Sequence, residues 1–229
     1  MSGSSGPDII TDSLLFHVDA ANSKSYPGSG TTWYDLSGNR RHLTLTNASF
    51  TSDLSGGFYF GNFIGGVYAT ASSTTTFSLS SGFSISVWIK HVDPITSIQR
   101  YVTLPSEAAV LRKGAGTNNT IESYVFDTSG VYHGFTNTTA LSGVGIVHNF
   151  VMTCDGTGTP IMLYVNGTFQ AQTVPSAMTL RTPTAIQLGS AASTEGFLGN
   201  MYVVSLYNKV LSANEIQQNF YSLRGRFGI

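Results

Sequence analysis

Four glutamates stand in the 229 residues: Glu107, Glu122, Glu195 and Glu215. Hydrolysis of a glycosidic bond needs a carboxylic acid and a second carboxylate roughly 5–9.5 Å apart. Along one strand, that separation falls at offsets of two or four residues. None of the four has an acidic neighbour at those offsets; Glu122 shares its face with Tyr124 and Phe126, and Glu215 belongs to a helix cap. Spacing leaves open only a pair assembled from different strands. The five histidines, His17, His42, His91, His133 and His148, show no His-x-His or His-x-x-x-His spacing, whereas zinc needs several convergent ligands. Cys154 lies in the apolar run Phe150-Val151-Met152 and reads as a packed thiol. No Gly-x-Ser-x-Gly elbow joins a strand to a helix. Gly114-Ala115-Gly116 has no helix after it, so it is no phosphate cradle. These residues predict a protein that is not an enzyme.

Composition agrees. Charged residues make up 10% of the chain, against about 25% in an average globular protein. With Lys+Arg 11 and net charge -1, there is no basic footprint for nucleic acid. Hydrophobic residues at 41% and aromatics at 12% supply a core and argue against disorder. No apolar run reaches the roughly 18 residues of a membrane span, so no membrane partner is expected. A single cysteine rules out an intrachain disulfide framework. Residues Met1 to Pro7 lack a basic region followed by an apolar one, so if the protein works outside a cell, its exit is expected by lysis or on a particle.

Period-two alternation identifies the elements that must position any site. In Phe83–Lys90, Phe83, Ile85, Val87 and Ile89 point to one face, and Ser84, Ser86, Trp88 and Lys90 to the other. Trp88 makes that second face partly apolar, as expected beneath a loop or on a concave surface. Ile161–Val165 and Thr168–Ala171 flank Asn166-Gly167, the residues of a type I′ hairpin turn. Further strands are expected at 14–19, 42–46, 58–60, 67–70, 100–103, 121–126, 131–136, 149–153, 185–188 and 197–206. Glycine pairs, among them 56–57 and 65–66, separate several of them. Such spacing without helical pattern indicates an all-β, two-sheet antiparallel sandwich. One helix opens on the capping box Ser212-Ala213-Asn214-Glu215 and carries Ile216, Phe220 and Leu223 on one stripe; Gly225 is placed as its left-handed cap. Residues 1–11 read as an arm, 12–229 as one domain with the helix and a short tail from Arg224.

Several blocks together resemble the laminin G-like, concanavalin A-like jelly-roll domains of bacteriophage and cyanophage virion proteins. They are Leu14–Asn22, Ser25–Asn39 with its Trp33-Tyr34-Asp35-Leu36-Ser37-Gly38-Asn39, Gly82–Lys90, Leu206–Ile216 and Arg224–Ile229. The resemblance implies a jelly-roll sandwich with one concave sheet. It also implies an edge calcium, the one cofactor to consider, matched here by Asp19, Asp35, Asn39 and Asn200. Asn200 departs from the aspartate that many relatives carry, and Asp35 also fits a local Asx-turn.

The function implied is that of a non-enzymatic virion structural protein, a capsid decoration or tail or fibre component. It would be located on the virion, with other virion proteins and copies of itself as partners. The terminal segments would dock to the particle, with Phe227 and Ile229 as apolar anchors or packed back on their own domain. The alternative is a lectin recognising a host glycan, through a surface of Tyr124, Tyr132, His133, Phe135 and Asn137.

Overall fold

A computed structural model describes residues 7–61, 66–72, 77, 79, 82–92, 98–114, 120–137, 144–157, 160–174, 176–190 and 195–229. In chain order the first strands are β1 (Leu14–Asp19), β2 (Thr32–Trp33), β3 (Leu43–Thr46), β4 (Ser49–Thr51), β5 (Gly57–Gly61), β6 (Val67–Ser72), β7 (Phe83–His91) and β8 (Gln99–Leu104). They continue with β9 (Ala109–Lys113), β10 (Ile121–Phe126), β11 (Tyr132–Asn137), β12 (Val147–Cys154), β13 (Ile161–Val165), β14 (Thr168–Thr173), β15 (Ala185–Ser190) and β16 (Leu198–Tyr207), before the helix α1 (Ala213–Phe227). The glycine pair at 65–66 and the run at 114–116 fall partly outside the described residues, and the first six residues of the arm wholly so.

Among the described residues the strands form two eight-stranded sheets. One runs β14-β13-β12-β7-β16-β5-β4, with β1 beside the second half of β16; the other runs β11-β10-β9-β8-β15-β6-β3-β2. Both are antiparallel throughout, as short hairpin connections allow. Alternation does what it should in β7: Phe83, Ile85, Val87 and Ile89 enter the core with Phe16, Phe150, Leu163 and Leu206. At the β13–β14 turn, Asn166 has φ 49° and Gly167 φ 74°, the paired positive values a type I′ turn requires. Cys154 is fully buried, and burial pushes its thiol up to about 12, far from a reactive thiolate.

The helix is longer than its sequence signals suggest. Ser212 accepts from the Glu215 amide and Glu215 reaches back to Ser212, completing the capping box. The chain does not stop at Gly225; it stays helical through Phe227, and Gly228 takes the left-handed position at φ 70°. Gly225 is tolerated inside the last turns because Arg226 and Phe227 beyond it are both anchored. Ile216 packs on Val151, Tyr164, Tyr207 and Leu211. Phe220 and Phe227 stack on Trp88, with ring centroids 5.6 and 4.6 Å apart. α1 therefore seals the outer face of the first sheet. Among the described residues, no helix lies over the second sheet.

Candidate ligand-binding face

The register of the second sheet aligns Thr136, Glu122, Arg112 and Arg100 as successive cross-strand partners on β11, β10, β9 and β8. Their alternates, Ile121, Val125 and Leu111, are buried in the core, so this row lies on the outer face. Arg112 Nε donates to Glu122 Oε2 at 2.7 Å, and its Nη1 to Glu195 Oε1 at 3.2 Å. Arg100 Nη2 donates to Glu107 Oε1 at 2.6 Å, and its Nε to Glu195 Oε2. Thr136 donates to Glu122 at 3.2 Å and Tyr124 to Glu107 at 3.3 Å. Glu195, just ahead of β16, thus bridges both arginines. Burial works against the charge on Arg100 and Arg112, but the carboxylate hydrogen bonds outweigh it and hold both guanidinium pKa values above the ordinary range.

Aromatic rings continue the face. Tyr124 lies beneath Arg112, whose guanidinium carbon is 5.0 Å from the ring centroid. Tyr124 is 2% exposed, while its neighbour Tyr132 is 47% exposed with the ring centroids 5.2 Å apart. Phe126 closes the group, 5.8 Å from Tyr132. The backbone of β11 crosses Tyr124 at Gly134; a Cβ there would come within 2.2 Å of the Tyr124 Cβ, so the ring arrangement needs glycine. The turn after β8 is held with Ser106 at φ 58° and Glu107 at φ 51°, both left-handed without being glycine. That strained turn aims Glu107 at Arg100.

The structure therefore gathers three of the four glutamates, which no single strand would have paired. Their chemistry is fixed by their partners. A glycosidase acid has to hold a proton and release it to the leaving group, whereas each carboxylate here is the counter-ion of a guanidinium. The face offers fixed donors, fixed acceptors and an exposed ring.

The four residues matched to an edge calcium are not assembled as ligands. Asp35 accepts from the amides of His17 (2.9 Å), Ser37 (2.9 Å) and Arg41 (3.0 Å), the Asx-turn alternative. Asn39 turns its Nδ2 donor, not its oxygen, toward the carbonyls of Leu14 (3.2 Å) and Leu15 (3.0 Å). Asp19 is paired with Arg226, and Asn200 Nδ2 donates to Asp53 at 3.1 Å beside Lys90. The donor set does not fit a hard cation, which needs six to eight oxygens. Among the described residues, no three His, Cys, Asp or Glu side chains converge on a point.

Of the expected glycan surface, Tyr124 and Tyr132 share the outer face. His133, Phe135 and Asn137 do not, because residues adjacent along β11 point to opposite sides. His133 is 7% exposed and bonded to Asp127 at 3.1 Å; Asn137 is likewise buried. Phe227 and Ile229, expected either as docking anchors or packed back on their own domain, are packed: Phe227 is 6% exposed against Trp88 and Tyr202, and Ile229 lies beside them. From Asp8 onward the arm is tied down too, with Asp8 O accepting from Gln218 and Ile10 N donating to Asn219 at 2.7 Å. Sequence reasoning missed Arg100, Arg112, Glu107 and Glu195. An outward parity shared by Arg112 and Glu122 was the available signal; Glu195 has no such signal, since it reaches the face from a distant loop.

A family model described as the concanavalin A-like lectin/glucanases superfamily, of laminin G type, matches residues 63–217. Among solved structures, the chain is similar to the receptor binding domain of botulinum neurotoxin C/D mosaic serotype, at TM-score 0.71 and 15% identity, covering 92% of this chain and 51% of that one. It is similar also to the botulinum neurotoxin serotype D binding domain, at TM-score 0.73, 15% identity and coverages of 92% and 52%. A third is the serotype D ligand binding domain in complex with N-acetylneuraminic acid, at TM-score 0.72, 15% identity and coverages of 92% and 51%. The chain spans about half the length of these structures, and at such identity the likeness is one of fold. A search of curated protein sequences gave no match.

Proposed function

We propose that this chain, which belongs to the concanavalin A-like lectin/glucanases superfamily, is a glycan-binding module that performs no turnover. The observation that carries this reading is the half-exposed Tyr132 ring, backed by Tyr124 and Phe126 and rimmed by the Arg112–Glu122–Thr136 row. A sugar presents apolar C–H faces and a ring of hydroxyls. Aromatic stacking meets the first, and a rigid set of donors and acceptors meets the second. The ion pairs keep the row in place before a ligand arrives, which lowers the ordering cost of binding. The same pairing is what argues against a glucanase, since Glu107, Glu122 and Glu195 are each ion-paired with an arginine.

A virion setting is supported by the resemblance of the terminal blocks to phage proteins, and the module would then contact a host glycan from the particle surface. The test is a glycan array with the wild-type protein, Tyr132→Ala and Glu122→Gln, alongside a reducing-sugar release assay on the glycans bound. The expected result is binding that both substitutions weaken, with no sugar released. Absence of glycan binding, or release of reducing ends, would overturn the reading.

A further inference from the structure

The turn end of the second sheet opens into a cleft of about 510 Å³, lined by Pro105, Ser106, Thr128 and the run Arg181–Thr184. Three segments build it. One is the strained turn at Ser106-Glu107. The second is the β10–β11 turn, where the Asp127 carboxylate accepts from Ser129 N at 2.9 Å and Val131 N at 2.8 Å. The third is the stretch ahead of β15, which bridges to that turn through Asp127–Leu180 pairing and the bond from Thr128 N to Thr179 O at 2.9 Å.

Arg181 ties these segments together. Its Nε donates to Asp127 O at 2.7 Å, an Nη1 hydrogen goes to Ser106 O, and the guanidinium lies 5.8 Å from the Phe126 ring centroid. The side chain is thus oriented by backbone carbonyls and an aromatic ring, none of which carries a full negative charge. A guanidinium has five N–H donors, and those bonds use two. Arg100 and Arg112 on the same face are neutralised by Glu107, Glu122 and Glu195. Among the described residues no carboxylate stands within ion-pair distance of Arg181. A cation that is pre-positioned, half-buried and faces an open cleft is arranged for an anion supplied from outside.

We infer that this cleft takes the anionic substituent, carboxylate or sulfate, of an acidic saccharide whose ring lies on Tyr132, with Arg181 as its counter-ion. The link to Tyr132 runs through Phe126, which touches both residues. The inference rests on the glycan reading above and names its ligand class. Glu107, Glu122 and Glu195 deepen the specificity: an anion placed on Arg100 or Arg112 meets their paired carboxylates, whereas Arg181 has no such partner among the described residues.

The test uses immobilised uronate-containing oligosaccharides, the same oligosaccharides after reduction of each carboxyl to a hydroxymethyl group, and sulfated and desulfated pairs. Wild-type protein should bind at least one acidic member and lose about tenfold or more when its anion is removed. Arg181→Met should bind the acidic and neutral members of that pair alike. Arg181→Lys keeps the charge without the paired donors, and should show an intermediate preference. A melting curve on each variant separates a lost contact from a lost fold, and the wild-type pairs decide the matter even if Arg181→Met does not fold. Which pair responds distinguishes carboxylate from sulfate. Neutral glycans as the sole hits, or a preference unchanged in folded Arg181→Met, overturns this inference and leaves the glycan reading standing. No hit of any kind overturns both.

Discussion

The Arg226 guanidinium in the last turn of α1 meets the Asp19 carboxylate at the end of β1, with Nη1 2.5 Å from Oδ1. Its Nε reaches Leu54 O at 2.8 Å and its Nη2 Gly56 O at 2.5 Å. A carboxylate with two backbone carbonyls is the kind of oxygen set a hard cation selects. Here the chain supplies the positive charge itself and fastens its C-terminal helix by the same contact. The expected outcome is a melting temperature that does not change between millimolar calcium and excess chelator. Arg226→Met should cost about 2 kcal/mol, since it strips a charged, largely buried carboxylate of its partner. A chelator-dependent fall in melting temperature for the wild type would contradict this assignment.

Phe227 belongs to the protein's own packing. Its ring stacks on Trp88 at 4.6 Å and tilts against Tyr202 at 5.2 Å. Phe227→Ala should therefore destabilise by about 3 kcal/mol in urea titration, the usual cost of emptying a buried aromatic site. Trp88 emission should shift to the red as the helix end lifts. A stable Phe227→Ala protein that only lost affinity for a partner would restore the docking role.

The architecture was legible because alternation in strands such as β7 and β12 is a short-range signal that burial reinforces. The pieces that escaped are short or masked by polarity: β2 has two residues, β4 three, and β9 ends in Arg112-Lys113. The true end of α1 escaped because a glycine at 225 looks like a cap until Arg226 and Phe227 find partners across the fold. The candidate face was half legible. Tyr124 and Tyr132 share a face by parity, and the same parity should have excluded His133 and Asn137. The Glu195 bridge depends on contacts to Arg100 and Arg112, 95 and 83 residues away in sequence, which local spacing does not encode.

Tyr132 and Gly134 should separate binding from stability. Tyr132 is half exposed, so Tyr132→Ala should leave the melting curve nearly unchanged, within about 0.5 kcal/mol. The same variant should lose about tenfold in affinity for any glycan the array identifies, the loss expected from one stacked ring. Gly134→Ala should do the reverse in order: its new methyl collides with Tyr124, costing about 1–3 kcal/mol in stability and displacing the rings with it. Equal affinity in Tyr132→Ala would move the binding surface elsewhere.

Acid should weaken this fold well above the range where carboxylates titrate. His91 is buried at the end of β7, with Nε2 2.8 Å from the Tyr101 hydroxyl and Phe197 packed on its edge. Burial, with smaller contributions from the nearby His148 and Lys113 charges, lowers its pKa from 6.5 to about 3. His17 and His148 are lowered as well, by burial first. The unfolded chain therefore binds protons between pH 6.5 and 3 that the folded chain refuses, so stability rises with pH across that window. Full stability is present above pH 6.5, and the loss grows as pH falls toward 3. At pH 5 the His91 share is about 2 kcal/mol, from 1.36 kcal/mol per unit over one and a half units. His91→Gln can still bond Tyr101 but does not titrate, so its stability at pH 5 should sit closer to its own value at pH 7.5 than the wild type's does. Urea midpoints for both proteins at the two pH values decide it: parallel losses would mean that the acid sensitivity comes from groups other than His91.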